Sequence, residues 1–198
     1  MRIRQVYDHY DHDQVGPEAF KYCPYCGDRL TVAESGLLLR PTCRACGFVQ
    51  FKNPAPTVSI LIVEGNRVLL GKRSGNPGKG TWAIPSGYVE YQDSFLETAV
   101  REAKEETGLD VEIHSIINVV SSFTSPWYHF LGIYVSAIVL GGTAVPGDDL
   151  DDVAWFPLSG PLPEMGFQED RDIIALYANR PAQGLPVDPD HARPDIDP

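Results

Sequence analysis

The stretch GYVEYQDSFLETAVREAKEETGL, residues 87–109, constrains the fold most, because it predicts one helix with both ends marked. Ser94 followed by Glu97 forms a capping box, and Gly108 stands where a C-cap glycine belongs. Between these caps, apolar residues recur at steps of three and four and form one stripe: Phe95, Leu96, Ala99, Val100 and Ala103. We therefore predict an amphipathic helix that packs this stripe on a core.

Two acids of this helix lie beside the apolar stripe rather than opposite it. At about 100° per residue, Glu102 and Glu106 fall on its flank one turn apart, whereas Arg101 and Glu105 point further out. Like charges at this spacing repel each other, and a divalent cation removes the repulsion, because carboxylate oxygens are ligands that Mg²⁺ and Mn²⁺ prefer. An ordinary charged helix is the alternative interpretation of the same pattern.

The stretch resembles the Nudix box, which reads glycine, five residues, glutamate, seven residues, Arg-Glu, an apolar residue, any residue, Glu-Glu, any residue and glycine. Gly87 is the first glycine, and residues 101–109 match throughout. Asp93 departs from the motif, because it stands where the family has its first glutamate. In the family that glutamate mainly braces the motif by pairing with the arginine, here Arg101. Asp93 keeps the charge on a shorter side chain.

The resemblance implies a metal-dependent hydrolase of a nucleoside diphosphate linked to another group, which releases a nucleoside monophosphate. The catalytic residues it implies are Arg101, Glu102, Glu105 and Glu106. It implies Mg²⁺ or Mn²⁺, held by the three glutamates together with the backbone carbonyl of Gly87, because divalent ions relieve the charge that builds up on attack at a pyrophosphate. Many family members add a carboxylate from outside the box, and the candidates here are Asp149, Glu164 and Glu169.

The cysteines form two CxxC pairs that lie 16 residues apart, and no cysteine is left over: Cys23, Cys26, Cys43 and Cys46. This spacing fits a structural four-thiolate zinc site, and a glycine follows each pair, which suits a positive φ at the turn. Two disulfides or a redox dithiol are the alternatives. A cytosolic chain disfavours the first, and the doubling of the motif disfavours the second.

The chain divides into four predicted segments: an N-terminal arm (1–20), floppy or loosely docked; a zinc ribbon (21–52), with two short strands around residues 34–36; a Nudix hydrolase domain (53–180); and a disordered, proline-rich and acidic tail (181–198). The expected fold class is α/β, a Nudix α/β/α sandwich with a mixed sheet, preceded by the small ribbon. Within the hydrolase domain we predict strands at 57–63, 67–73, 111–120 and 129–140, an aromatic loop at 121–130, and a helix at 169–179.

Substrate contacts are expected at two places. Arg73 ends a strand whose edge faces the substrate phosphates in the family, although a surface arginine is an equal alternative. Trp127 and Tyr128 could stack on a base, or could form a hydrophobic lid or a dimer contact. The ribbon, Asn53-Pro54, residues 80–90 and residues 146–158 together resemble the ribbon-bearing ADP-ribose and FAD pyrophosphatases, and more distantly the NADH enzymes. A non-catalytic nucleotide sensor that uses the ribbon to bind a partner or nucleic acid is the competing interpretation.

Charge and hydropathy limit which partners and which location the chain is expected to have. No run of 18 apolar residues occurs and the N-terminus lacks the apolar core of a signal peptide, so we expect no membrane span and a cytoplasmic location. The net charge of −11 disfavours nucleic-acid binding by the whole protein, and it requires local cations to attract a nucleotide substrate. Zinc ribbons often bind nucleic acid, and this one carries a local set of cations. We expect these cations to decorate its surface or to dock it on the acidic main domain rather than to bind nucleic acid: Lys21, Arg29, Arg40, Arg44 and Lys52. Many family members form homodimers.

Overall fold

The structure is a computed structural model that describes residues 4–9, 11, 20–36, 38–125, 128–179, 184–187 and 191–194. These residues belong to two compact units. The larger unit takes its residues from the ranges 1–7, 55–122 and 130–198, and the smaller unit takes its residues from 8–54 and 123–129. The division after Pro54 lies close to the predicted end of the ribbon. Neither helix among the described residues is long and apolar enough to cross a membrane.

The strands are Val6–Asp8 (β1), Thr31–Ser35 (β2), Leu38–Thr42 (β3), Ala55–Glu64 (β4), Arg67–Arg73 (β5), Trp82–Ala83 (β6), Ser86–Tyr88 (β7), Leu109–Ser125 (β8), Tyr128–Gly142 (β9), Leu150–Pro157 (β10) and Leu185–Pro186 (β11). The helices are Phe95–Thr107 (α1) and Gln168–Asn179 (α2). The main sheet has the order β1-β8-β9-β4-β5-β10, to which β11, β6 and β7 add at β8, β5 and β4. Because β4 runs parallel to β9 and antiparallel to β5, the sheet is mixed, as predicted.

The central strand β4 is buried on both faces, and its alternate side chains enter two separate cores. Val58, Ile60 and Ile62 pack in the cluster that contains the apolar stripe of α1. Leu61 and Val63 pack in the second cluster, with Ile173 and Ile174 of α2. Successive side chains of a strand point to opposite faces, so the two helices cover the two faces of the sheet. The predicted α/β/α sandwich is therefore confirmed.

The predicted aromatic loop at 121–130 is wrong for the described residues, because β8 continues to Ser125 and β9 already begins at Tyr128. Pro126 and Trp127 lie outside the described residues. The serine- and threonine-rich run reads locally as a loop. It is nevertheless held extended by partners distant in sequence, since the Ser121 amide donates to the carbonyl of Gln5 at 2.7 Å.

The predicted floppy or loosely docked arm is wrong for residues 4–8. Strand β1 joins the main sheet beside β8, and the Tyr7 side chain is fully buried in the core. The Tyr7 hydroxyl donates to Asp172 Oδ2 of α2 at 3.0 Å. Residues 4–7 of the arm therefore belong to the larger unit, and its other described residues belong to the smaller unit.

The predicted disordered tail is wrong for residues 184–187 and 191–194. Strand β11 pairs with β8 at Ser115 and Ile116. Ala192 is buried in the core beneath α1, and its carbonyl accepts the Ile113 amide at 2.7 Å. Pairing with a free sheet edge uses backbone groups alone, so a proline-rich and acidic composition does not exclude it.

The smaller unit contains the predicted hairpin. Strands β2 and β3 pair antiparallel from Thr31 with Thr42 to Ser35 with Leu38. Its apolar core is small, with Cys23, Leu30 and Cys43 buried and Phe48 packed against them. A core of this size leaves little hydrophobic stabilisation for the ribbon.

Candidate active site and zinc centre

Helix α1 begins and ends at the predicted caps. The Glu97 amide donates to Ser94 Oγ at 3.2 Å, and the Ser94 amide donates to Glu97 Oε2 at 2.7 Å, which completes the capping box. At the other end, Gly108 has φ 72° and its amide donates to the Lys104 carbonyl at 2.9 Å. Both ends of the helix that carries the box acids are thus fixed by local hydrogen bonds.

Two acids of α1 are buried at the flank of its apolar stripe. Glu102 is 8 % exposed and Glu106 is 3 % exposed, whereas about half of the Glu105 side chain is exposed. Glu106 Oε2 accepts the Ser86 amide of β7 at 3.0 Å. Burial raises the pKa of Glu106 to about 9, and the nearby charges of Asp149 and Glu102 add to the effect. Without a cation Glu106 therefore keeps its proton at neutral pH, and a nearby cation would be needed to stabilise its charged form.

Arg101 connects three acids around this cluster. Its Nη1 lies 2.9 Å from Glu102 Oε1 and 2.9 Å from Glu105 Oε2. Its Nε lies 3.4 Å from Asp93 Oδ2. The shorter Asp93 side chain thus still reaches the arginine, as the brace of the box requires. Burial raises the pKa of Glu102 as well, and the charge of Arg101 opposes that shift.

Asp149 is the acid outside the box that approaches Glu106. Its carbonyl accepts the Ser74 amide at 2.9 Å and the Ser74 hydroxyl at 2.6 Å, so the loop before β10 is tied to the end of β5. Its Oδ1 is buried without a hydrogen-bond partner. The other two candidates are engaged differently: Glu169 accepts the Ser122 hydroxyl, and Glu164 accepts the Trp82 amide through its backbone carbonyl.

The acids around Glu106 are chemically of the kind that bind a divalent cation. Glu102 and Asp149 lie near enough to Glu106 for their charges to raise its pKa. A buried carboxylate oxygen without a hydrogen-bond partner, as at Asp149, is costly unless a cation or a proton compensates it. Mg²⁺ and Mn²⁺ are the hard ions that carboxylates prefer.

Gly87 lies in β7 against the carboxylate of Glu102. A Cβ atom built at Gly87 would overlap the carboxyl carbon and Oε1 of Glu102. A side chain at position 87 would therefore displace the carboxyl group of Glu102.

We expect Gly87→Ala to displace the Glu102 carboxylate and to lower kcat by about 10- to 100-fold, because Glu102 is a predicted ligand of the catalytic ion. The measurement is steady-state hydrolysis in Mg²⁺, together with the melting temperature. Gly75→Ala is the matched control, because a Cβ at Gly75 meets no atom within 4 Å. Equal activity of both variants would contradict the assigned contact.

Asp170 is a site-supporting residue that sequence reasoning missed. Its carboxylate accepts the Ile84 amide at 2.9 Å and the Tyr134 hydroxyl at 2.9 Å, and burial raises its pKa to about 7. Ile84 lies two residues before Ser86, whose amide holds Glu106. An acid in the first turn of a helix ordinarily indicates only a favourable dipole interaction, so the sequence offered no distinguishing signal.

Arg73 is a partly buried residue of this region rather than a free surface cation. Its Nε donates to the Pro77 carbonyl at 2.8 Å, and its guanidinium lies 5.5 Å from the centre of the Phe167 ring. Its Nη2 lies 3.9 Å from Asp149 Oδ2. Of the two predicted stacking residues, Tyr128 is half-exposed and belongs to the smaller unit, and Trp127 lies outside the described residues.

The four cysteine sulfurs lie within 4.8 Å of one another: Cys23, Cys26, Cys43 and Cys46. The Cys23–Cys46 and Cys26–Cys43 sulfur pairs are each 3.5 Å apart, too far for a disulfide bond of about 2.05 Å. Sulfurs bound tetrahedrally at about 2.3 Å from one ion lie about 3.8 Å apart. Gly27 and Gly47 have φ 76° and 79°, as the turns after each pair require. The thiolates therefore fit a structural zinc ion.

Comparison with known proteins agrees with this geometry. The NUDIX domain matches residues 53–177. An ADP-ribose pyrophosphatase of Methanocaldococcus jannaschii is 38 % identical over 124 residues, which cover 62 % of this chain and 73 % of the relative. The NAD-capped RNA hydrolase NudC of Pseudomonas aeruginosa is 31 % identical over 173 residues, which cover 85 % of this chain but only 60 % of that relative.

A solved structure shows the same fold. The crystal structure of a NUDIX hydrolase from Nitrosomonas europaea superposes with a TM-score of 0.74 at 26 % identity, and the match covers 85 % of this chain and 96 % of that one. The matched domain spans more than half of the chain and contains the capped helix, its buried acids and the glycine that lies against Glu102. The chain therefore belongs to the Nudix hydrolase family.

Proposed function

We propose that the chain hydrolyses the pyrophosphate bond of a nucleoside diphosphate linked to another group, of the ADP-ribose, FAD or NAD(H) type, and releases a nucleoside monophosphate. The observation that carries this proposal is the buried pair Glu102 and Glu106 beside Asp149, whose Oδ1 has no hydrogen-bond partner. The names of the relatives, an ADP-ribose pyrophosphatase and an NAD-capped RNA hydrolase, support the substrate class.

In this proposal Mg²⁺ or Mn²⁺ would be held by four carboxylates and one carbonyl: Glu102, Glu105, Glu106, Asp149 and the Gly87 oxygen. A divalent ion there would lower the pKa of a bound water and neutralise the phosphate oxygens. Glu106 keeps its proton until about pH 9 in the absence of a cation, so metal binding must release that proton. Affinity for the ion should accordingly increase with pH.

The exposed Glu105 is our candidate to accept a proton from the attacking water. Its carboxylate is held by Arg101 at 2.9 Å, and half of its side chain is open to solvent. Arg101 keeps both Glu105 and Glu102 in place, and we assign it a positioning role. We retain Arg73 as a candidate phosphate contact, although its present bonds to Pro77 and Asp149 also suit it to organising the loop before β10.

We further propose that the four thiolates hold a structural zinc ion, because a closed four-sulfur site leaves no open position for substrate. Reduced, paired CxxC motifs suit a reducing compartment such as the cytoplasm. We also propose a homodimer, as is common in the family. Analytical ultracentrifugation of the zinc-loaded protein tests this.

The decisive experiment is a substrate panel. ADP-ribose, FAD, NADH and a 5′-NAD-capped oligonucleotide are incubated with Mg²⁺ or Mn²⁺, and the released monophosphate is measured by chromatography. Turnover of at least one compound that requires the divalent ion supports the proposal. Tight nucleotide binding without turnover of any compound would favour a non-catalytic sensor instead.

We expect Asp149→Asn to weaken Mn²⁺ binding by about 10- to 100-fold and to lower kcat by about 100-fold or more, because the variant removes a charged ligand. Binding is measured by electron paramagnetic resonance of free Mn²⁺, independently of turnover. Glu164→Gln is the matched control, since Glu164 contributes its backbone carbonyl. Unchanged Mn²⁺ affinity in Asp149→Asn would exclude Asp149 as a ligand.

A further inference from the structure

The smaller unit exposes aromatic side chains beside cations. Phe20, Tyr22 and Phe51 are 55 %, 64 % and 60 % exposed. The Phe20 amide donates to Gln50 Oε1 at 2.8 Å, which ties the segment Phe20-Lys21-Tyr22 to the segment Gln50-Phe51-Lys52. We call the following residues the ribbon patch: Phe20, Lys21, Tyr22, Arg40, Phe51 and Lys52.

One of these rings lies beneath an arginine, and the residue that carries a second ring is paired with an arginine through the backbone. The guanidinium of Arg40 lies over the Phe51 ring, 5.0 Å from its centre. Tyr22 pairs with Arg29 across an antiparallel bridge, so the two side chains leave the backbone on the same side. Cations and exposed aromatic faces are therefore interleaved.

The local charge is opposite to that of the whole chain. Residues 20–54 contain five Lys and Arg against the two acids Asp28 and Glu34, whereas the full chain has 16 Lys and Arg against 27 acids. A positive potential over this segment attracts an anionic partner to it, even when the net charge of the protein is negative.

The combination of cations with exposed aromatic rings favours one class of anionic partner over the others. An acidic protein surface would use the cations and could cover the rings, but it offers no regular series of planar groups for the three rings to stack on. Single-stranded nucleic acid uses both, because its phosphates bind cations and its unpaired bases stack on aromatic side chains and on Arg planes. Duplex nucleic acid hides its bases and would use the cations alone.

We propose that the ribbon patch binds single-stranded nucleic acid by base stacking on Phe20, Tyr22 and Phe51 and by phosphate contacts of the neighbouring cations. From the sequence alone we expected the cations to decorate the ribbon or to dock it on the acidic domain. The exposed rings beside them favour the nucleic acid. The proposal is independent of the hydrolytic site.

The test measures fluorescence anisotropy of labelled single strands of about 12 nucleotides, RNA and DNA in separate arms, with the full-length zinc-loaded protein. The strands carry a 5′-hydroxyl and Mg²⁺ is omitted, so no pyrophosphate is offered to the hydrolytic site. We expect binding that weakens steeply between about 50 and 200 mM salt. Phe51→Ala should weaken binding by about 5- to 100-fold, and Phe51→Tyr should retain it. Lys21→Ala with Lys52→Ala should make the salt dependence shallower.

Arg67→Ala is the matched control for Arg40→Ala. Arg67 is an exposed arginine in the larger unit, and its guanidinium lies 5.4 Å from the centre of the Trp155 ring, as Arg40 lies over Phe51. Zinc content is measured for every variant, so that loss of the ribbon fold is recognised. Three results would overturn the proposal: no binding at low salt, equal effects of Arg40→Ala and Arg67→Ala, or equal affinity of Phe51→Ala and wild type.

Discussion

Glu106→Gln is expected to lower kcat about 1,000-fold or more while leaving the folded state at least as stable as wild type. Glutamine keeps the size of the side chain and can still accept the Ser86 amide through its oxygen. It removes the charge that the proposed cation requires. The measurements are steady-state hydrolysis in Mg²⁺ and the melting temperature by calorimetry.

The same variant should change how stability depends on pH. In the folded, cation-free protein the pKa of Glu106 is raised from 4.5 to about 9 by burial and neighbouring acids. Between these values the unfolded chain has released a proton that the folded state keeps, so the free energy of unfolding decreases as the pH rises. The melting temperature of the wild type should therefore fall as the pH rises from about 5 to about 9. The melting temperature of Glu106→Gln should fall by less over the same range.

Added Mg²⁺ should raise the melting temperature of the wild type at the alkaline end of this range, but should not raise that of Glu106→Gln. Glu64→Gln serves as the control, because Glu64 is an exposed acid that pairs with Arg67 at the surface. If Glu106→Gln is active, or is inactive only because it is unfolded, the assignment of Glu106 to the active site is contradicted.

Removal of zinc is expected to unfold the ribbon while the larger unit stays folded. The ribbon buries Cys23, Leu30 and Cys43 with Phe48 against them, and a core of this size cannot offset the loss of chain entropy. Zinc binding supplies about 10–16 kcal/mol in small zinc domains, so the metal provides most of the folding energy. The larger unit has two apolar clusters of its own.

The measurement is limited proteolysis of Cys43→Ser and of chelator-treated wild type. We expect rapid cleavage within residues 20–54 and a resistant fragment that contains β4 to α2. Ser35→Ala is the matched ribbon control, since Ser35 lies in β2 away from the thiolates. A chelated protein whose ribbon resists protease as well as the zinc-loaded form would contradict a structural metal.

The sequence predicted the elements whose signals are local. Both caps of α1, the β4–β5 hairpin and the turns of the ribbon are specified by residues within a few positions of each other. The flank position of Glu102 and Glu106 followed from helical periodicity, and both acids are buried there.

Features held by distant partners escaped prediction. Docking of the arm depends on the contact of Tyr7 with Asp172 on α2 and on pairing with β8. Likewise, Asp149 was one of three equivalent acids in sequence, and only folding brings it to Glu106. Asp170 accepts the Ile84 amide although the two residues are 86 positions apart in the chain. Helix and strand periodicity cannot predict a contact over that separation.

The ribbon is inserted between two strands of the main sheet, since β1 precedes it and β4 follows it. When the ribbon unfolds, the 46 residues from His9 to Pro54 join these two strands without the folded ribbon between them. Closing a loop of this length costs about 3 kcal/mol of chain entropy, and the three residues of β1 bear this cost. Metal depletion should therefore loosen β1 and increase amide exchange at Val6–Asp8, so the zinc supply acts on the edge of the hydrolase sheet through the chain's connectivity alone.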